Sequence, residues 1–426
     1  MTAAGESGGA SVCISGHADE PVDAAIAHRG ATAKLLLLAA AMFMVGTNAS
    51  IIAGLLPRIA SSLGSTESTV SYSITLYSVI VAIAAPVASI TLARTSRAAL
   101  MAGGAALFSI GTIVTSLSSD PAGFFGGRAV AALGGAALVP TASAVATSLV
   151  PHERRGRALA LVAMGFTLSG ALGTPFGTAL GSAATWRLPM WVLAGVGIIV
   201  GVSIVVGLRR APTPDAVPFR QRLAPLADRQ IVATVLTTLF VVVSGNVVFI
   251  FSATLTAGAT GGSGTLLAVL LMIYGCSGLV GNQFVGRLTD RYGSKHIAVT
   301  ALGAAIALLA ALPFVVASYP LTAVVFGVWG FMAAGMSVPV QHQLVELDPQ
   351  NVTVTMSWNS TAMYVGIALS PPVGNLAIGL GGPHVTPFPA ALCVALGLGA
   401  FLIGRVPTRA RRLIEGDRAR VGTAPS

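Results

Sequence analysis

Residues 188–208 read LPMWVLAGVGIIVGVSIVVGL, an unbroken run with no charged side chain, set between Arg187 and the pair Arg209 and Arg210. At about 1.5 Å per residue, a helix of this length spans roughly 30 Å, the thickness of a bilayer's hydrocarbon core. The stretch has neither the alternation nor the brevity of a β-barrel strand. Eleven similar runs accompany it, near 35–56, 69–91, 98–117, 122–148, 158–181, 231–257, 264–286, 296–317, 321–344, 354–380 and 386–405. The composition agrees: 54% of the 426 residues are hydrophobic and 9% are charged, and the mean hydropathy is +0.83. Soluble domains carry about 25% charged residues. A chain this apolar uses lipid as its solvent, and the expected fold is an all-α membrane protein of twelve transmembrane helices.

The net charge of +10 does not point to nucleic acid, because the charge is sorted by side. Lys34, Arg94, Arg97, Arg154, Arg155, Arg157, Arg209, Arg210, Arg287, Arg291 and Lys295 fall in one set of loops, and the C-terminal tail adds further arginines. The opposite loops hold only Arg58 and Arg187. By the positive-inside rule both termini are cytoplasmic, which requires an even number of spans in the cytoplasmic membrane. Residues 1–34, with Glu6, Asp19, Glu20 and Asp23, lack a basic start and a cleavage site, and are expected to form a disordered cytoplasmic tail. Cys13, Cys276 and Cys393 have no metal-binding spacing or pairing logic.

The chain repeats itself. Asn48 and Asn246, Tyr77 and Tyr274, Arg94 and Arg291, Pro140 and Pro339, and Gly177 and Gly374 are each separated by 197–199 positions. Six spans per repeat preserve orientation, so two pseudo-symmetric halves, 35–208 and 231–405, are expected to meet about an axis along the membrane normal. A basic, proline-containing linker at 209–230 joins them, and a basic tail occupies 406–426. In that architecture a ligand site lies between the halves near the midplane.

Two motifs stand out. The loop GRLTDRYGSK, Gly286 to Lys295, offers Gly286 for close helix approach, Asp290 and Arg291 for pairing or helix capping, and Gly293 for a tight turn. Its first-half counterpart, SITLARTSRA from Ser89 to Ala98, has Ala93 in place of the acid but keeps Arg94 and Arg97. In the fifth run, Gly165, Ser169, Gly173, Gly177 and Gly181 recur every four residues and form a stripe of small side chains suited to close helix contact. Pro175 lies within it and lacks a backbone donor. Ala362, Gly366, Ser370 and Gly374 repeat the design beside Pro371 and Pro372.

The segment Gly286–Lys295 resembles the loop signature of the major facilitator superfamily. The resemblance implies a cytoplasmic latch at Gly286, Asp290, Arg291, Gly293, Arg94 and Arg97; the alternative is a topological anchor only. GTPFG, Gly173 to Gly177, resembles the helix-5 antiporter motif of proton-linked efflux transporters, with Thr174 interrupting its Gly-Pro step; simple packing is the other reading. GLLPRIASSLG (54–64), VPHERRGRALAL (150–161) and SWNSTAMYVGIALS (357–370) are similar to the twelve-helix drug:proton antiporter branch, including its arabinose-efflux-permease-like and chloramphenicol-resistance-like members. The resemblance implies export of a small organic molecule by alternating access, with proton antiport.

An antiporter needs a titratable group, yet no carboxylate falls in the middle of any run. Relatives often carry an acid in helix 1 within a stretch like GTSEF; here GTNAS, Gly46 to Ser50, has Ala49 instead. Two embedded candidates remain. Arg128 begins RAVAALGGAA, which resembles the family's helix-4 arginine motif, linked to proton transfer; the alternative is an arginine snorkelling to the interface. His342 carries an imidazole, a side chain able to exchange protons, but stands near a helix end, where a structural role competes. Asn48, Tyr77, Asn246, Tyr274, Asn359 and Tyr364 are the candidates to line the substrate pathway, against interhelical hydrogen bonding. The expected partners are a small-molecule substrate, the lipid bilayer and, for an antiporter, protons; the expected state is a monomer, with no nucleic acid, metal or cofactor. An uncoupled facilitator or exchanger is the second reading, and a non-transporting membrane sensor the third. No nucleotide loop or catalytic constellation points to an enzyme.

Overall fold

The computed structural model describes residues 20–91, 95–208, 223–316 and 318–405. Every regular element among these residues is helical, and twelve helices are long and apolar enough to cross a bilayer. In chain order they are α1 Glu20–Ser62, α2 Glu67–Thr91, α3 Arg97–Leu117, α4 Pro121–Ser148, α5 Arg155–Ala183, α6 Arg187–Gly207, α7 Arg229–Ile250, α8 Gly264–Tyr292, α9 Ser294–Val315, α10 Tyr319–Leu347, α11 Val352–Gly381 and α12 Pro387–Gly404. Local chemistry sets several of their starts. The Asp120 carboxylate accepts from the Gly123 N–H at 2.9 Å with Pro121 in the first turn of α4, and Asp228 accepts from the Gln230 N–H at the start of α7. Gly293, at φ 80°, alone joins α8 to α9.

Three expectations are corrected. Residues 20–34 belong to α1 and not to a disordered tail: Pro21 stands in the first helical turn, where its missing N–H is harmless, and the alanines after it favour helix. Helix α7 ends at Ile250 instead of running to 257. There the Phe251 ring is buried so closely against α11 that a Cβ on Gly374 would overlap it. The chain continues through the short turns Ser252–Leu255 and Ala257–Thr260, and Gly261 and Gly262, both with positive φ, steer it into α8. Gly286 does not serve a close helix approach, since a Cβ there would meet nothing within 4 Å. Residues 1–19, Arg94, the linker segment 209–222 and the tail 406–426 lie outside the described residues.

Each half has its own apolar core. One gathers Leu38, Met44, Phe108, Ala131 and Ile204; the other gathers Leu270, Leu302, Phe326, Trp329 and Phe401. Within the first half, α5 runs parallel to α1 at near-backbone distance. A Cβ on Gly165 would overlap the Ala39 carbonyl, one on Gly173 the Thr47 side chain, and one on Gly177 the Ile51 side chain. The exchange is mutual: Gly46 receives Ser169, and Gly54 receives Thr178. Along this stripe α5 lies directly against α1.

Pro175 acts on this interface through the backbone. Residues Ser169–Gly173 form a single π-helical turn, and the Thr174 N–H reaches back five residues to the Ser169 carbonyl. Proline has no N–H to bond the carbonyl four residues earlier, and the widened turn absorbs the mismatch.

The halves touch along two antiparallel helix pairs. Between α2 and α11, the Thr75 hydroxyl donates to the Ala368 carbonyl at 2.8 Å, and the Asn375 amide donates to the Ser71 hydroxyl at 3.0 Å. Between α5 and α8, Gly275 lies against Ala171 of the π-turn, and Gly264 against Ser182. A third apolar cluster closes the end of the bundle bearing the α1–α2 and α7–α8 connections, with Ile52, Leu55 and Ile74 from the first half meeting Ile250 and Phe251 from the second. At that same end the Thr254 hydroxyl donates to the Glu67 carboxylate. Toward the other end, α8 runs alongside the Thr174–Ala183 segment and the π-turn but makes little contact with Arg155–Leu168.

Gly165→Val is expected to destabilise by at least the 1–3 kcal/mol typical of overpacking, because its Cβ meets a backbone carbonyl that cannot rotate away. Gly286→Ala is expected to leave stability unchanged or slightly raised. Thermal unfolding of the two purified variants in detergent checks the pair.

Candidate functional site: a cavity between the halves

A cavity of about 330 Å³ lies where the halves meet, below the closed end. The first half contributes small residues of α1 and of the α5 π-turn, Gly46, Ala49, Ser50, Ser169 and Gly170, along with Ile74 and Phe166. The second half contributes bulk: Asn246 and Phe249 from α7, Tyr274 from α8, Trp329, Met336 and Ser337 from α10, and Met363 from α11. The aromatic side chains form a continuous wall. Tyr274 and Trp329 have ring centroids 4.4 Å apart, and Phe249 and Tyr274 have centroids 5.7 Å apart. Asn246 gives one amide hydrogen to the Val242 carbonyl at 2.9 Å, leaving its carbonyl oxygen and second hydrogen available. The Ser50 hydroxyl contacts the Thr174 hydroxyl at 2.6 Å, tying α1 to the residue just after the π-turn. No Asp, Glu, His, Lys or Arg is among the lining residues.

The nearest charge sits behind the first-half wall. Arg128 of α4 is fully buried. Its Nη1 donates to both the backbone carbonyl and the Oδ1 of Asn48, at 2.7 and 2.6 Å, and its guanidinium lies 4.5 Å from the centroid of the Tyr77 ring. The Asn48 amide in turn donates to the Thr112 hydroxyl at 3.3 Å. Nε and Nη2 of Arg128 have no hydrogen-bond partner, and no carboxylate pairs with the group among the described residues. A charge within the hydrocarbon core costs up to about 3 kcal/mol on insertion scales. Two charge-assisted hydrogen bonds and a desolvated cation–π contact act against that cost. Arg128 is thus held inside the first half and does not snorkel.

The candidates therefore separate. Asn246 and Tyr274 line the cavity, while their repeat partners Asn48 and Tyr77 are sealed around Arg128. Asn359 accepts from the Thr238 hydroxyl at 2.6 Å, an α7–α11 hydrogen bond away from the cavity wall. Tyr364 of α11 packs on the first-half core. His342 is well exposed at the far end of α10, with Nδ1 3.1 Å from the Glu346 carboxylate. The segment from Gly286 is not a loop but the last turns of α8, up to Tyr292: there Asp290 is exposed and has no ion pair among the described residues, and the Arg291 guanidinium lies over the Tyr292 ring at 5.4 Å. Arg97 opens α3 with its Nε buried and unpaired. Sequence reasoning missed Trp329 and Phe249. Trp329 had a usable signal: it sits mid-span in FGVWGFM, far from the interfaces where tryptophan usually collects.

A family model described as Major Facilitator Superfamily matches residues 38–371, and again 235–425. The chain belongs to the major facilitator superfamily. It is 29% identical over 347 residues to the MFS-type transporter YbcL of Bacillus subtilis (strain 168), covering 82% of this chain and 89% of that one. It is 26% identical over 365 residues to the inner membrane transport protein YdhP of Escherichia coli (strain K12), covering 85% and 94%. A chloramphenicol resistance protein of Streptomyces lividans is 30% identical over 273 residues, covering 62% and 69%. Among solved structures, a bacterial homologue of the human lysosomal transporter Spinster, in an inward-facing and occupied conformation, superposes with a TM-score of 0.68 at 15% identity, covering 87% and 96%. Family and fold make this superfamily member a multi-pass membrane transporter and not an enzyme.

The two repeat asparagines have separate consequences. Asn48→Leu strips Arg128 of a side-chain acceptor and is expected to lower stability by roughly 1.5–3 kcal/mol. Asn246→Leu, where the amide bonds only its own helix, is expected to stay within about 0.5 kcal/mol. Melting temperatures of the purified variants measure the contrast.

Proposed function

We propose that this transporter sits in the cytoplasmic membrane with both termini inside and exports a small organic molecule by alternating access, in exchange for protons. The observation that carries the reading is the cavity between the halves, closed at one end by cross-half contacts and flanked by loosely packed helices toward the other. The basic loops lie at that looser end, so the positive-inside rule makes it the cytoplasmic one. Substrate then enters from the cytoplasm and leaves when the closed end opens. The name of the Streptomyces lividans relative favours an exported drug or drug-like molecule.

In this reading the end of α8 from Gly286 is a latch in its disengaged state, with Asp290 free to find a partner when the cytoplasmic end closes. Arg128 is the stronger coupling candidate, since it adjoins the cavity wall through Asn48 whereas His342 is an exposed partner of Glu346. A guanidinium does not release its proton in a protein. Its contribution is therefore the field it places behind the wall at Ala49 and Ser50, and not carriage of the exchanged proton. One observation favours the uncoupled alternative, namely that the lining residues include no acid, base or histidine.

Inside-out vesicles energised to an acidic interior, with a pH-sensitive dye and a panel of drugs, sugars and nucleosides, test the reading. A compound that collapses the gradient only when the protein is present is the expected result. Arg128→Ala is expected to abolish that response while labelled substrate still exchanges. Equilibration of labelled compounds without any dye response would establish the uncoupled alternative instead.

A further inference from the structure

We propose that the substrate is an uncharged molecule with a flat aromatic group and an amide-like or hydroxylated polar edge, and that the second half alone reads these features. The inference rests on the export reading of the central cavity and deepens it to a substrate class.

The first ground is a broken symmetry. The repeat gives each half one asparagine, on α1 or α7, and one tyrosine, on α2 or α8. In the first half both are consumed by Arg128: Asn48 accepts from its Nη1, and the Tyr77 ring lies against its guanidinium. The position 199 residues on from Arg128 is Gly327, so the second half has no such charge. Its tyrosine packs against Trp329 instead, with the rings tilted at 45°, and its asparagine faces the cavity. The same two residue types are thus a structural clamp in one half and a binding surface in the other. What the first half presents on α1 and at the π-turn is mostly glycine, alanine and serine, a smooth wall with few handles.

The second ground is charge. The lining residues contain no carboxylate to answer a cationic substrate, and Arg128 places an unanswered positive charge one residue behind the wall formed by Ala49 and Ser50. In a low-dielectric site that field repels cations. An anion is drawn by that field, but no charged or multiply donating side chain lines the cavity to pair with it, so its desolvation is only partly offset. A neutral molecule escapes both penalties.

The third ground is shape and polarity. Phe249, Tyr274 and Trp329 form a surface suited to stacking against a flat ring. Asn246 offers one acceptor and one donor beside it, the complement of an amide or of a hydroxyl with a neighbouring acceptor. A volume of about 330 Å³ falls at the small end of the roughly 300–1,000 Å³ typical of small-molecule sites.

The test uses three nitroaromatic probes of nearly equal size that quench tryptophan emission: neutral para-nitrobenzamide, anionic para-nitrobenzoate and cationic para-nitrophenyltrimethylammonium. The full-length protein is reconstituted in lipid nanodiscs and titrated with each, and Trp329→Phe identifies the part of the signal that comes from the cavity. The expected result is saturable, Trp329-dependent quenching by the amide, with affinity about tenfold or more above either charged probe. Asn246→Leu is expected to weaken the amide by about tenfold and to leave the folded state, tracked by melting temperature, in place. Equal or tighter binding of a charged probe overturns the inference, as does unchanged amide affinity in Asn246→Leu or the failure of all three probes to bind. The vesicle assay uses a different panel and judges export separately, so the substrate class can fail while export stands.

Discussion

Everything about this transporter's site depends on how closely α1 and α5 approach. In a bilayer no hydrophobic force drives one helix onto another, so association rests on van der Waals contact and hydrogen bonds, and both grow as backbones draw near. Gly165, Gly173 and Gly177 remove the side chains that would hold α1 off, and Gly46 and Gly54 answer from the other side. The cavity wall of the first half is the cost and the product of that approach: a surface of small residues with little to grip. The π-turn belongs to the same arrangement. It reconciles Pro175 with a continuous helix, and it projects Gly170 and Ala171 toward α8, where Gly275 has no side chain to block them. One stretch of α5 therefore packs its own half, touches the other half and lines the cavity.

Arg128 is the second constraint, and it explains why pseudo-symmetry stops at the site. A buried guanidinium without a carboxylate must collect oxygens and π faces from whatever surrounds it. Asn48 and Tyr77 are what surrounds it, so the first half's best polar groups turn inward. The second half is spared that demand and keeps Asn246 and Tyr274 for the cavity. A repeat that looks equivalent in sequence is divided around one charge, into a clamp in the first half and a cavity wall in the second.

Much of the fold is legible in the sequence because lipid imposes a simple rule. A spanning helix must be long and apolar, and twelve such runs are hard to misread. The α5 stripe is legible for a related reason, since a four-residue period of small side chains has few other uses in a membrane. What escapes is decided by tertiary packing. Nothing local marks Ile250 as the end of α7, the point at which Phe251 is buried against Gly374. Symmetry places Asn48 and Asn246 on corresponding faces, but which one meets the cavity depends on Arg128, eighty positions from Asn48. Gly286 shows the converse error: the residue type permits close approach, yet no helix comes near.

The closed end shows how such a protein can seal a cavity without locking it. The cross-half contacts there are an apolar cluster, helix pairs whose glycines meet small side chains, and hydrogen bonds among Thr75, Ala368, Asn375 and Ser71. Apart from Glu67, which accepts from Thr254, the partners are neutral. Hydrogen bonds of this kind contribute about 0.5–1.5 kcal/mol net, far below the roughly 3–5 kcal/mol lost on breaking a buried ion pair. Apolar contacts impose no fixed register, and a glycine-lined helix can slide or tilt against its neighbour without stranding a charge. The charge that does need fixed partners, Arg128, is kept wholly inside one half, where movement between the halves leaves its bonds to Asn48 intact. In the alternating-access reading, rigid electrostatics within a half and soft contacts between halves would let the two move as bodies around the cavity.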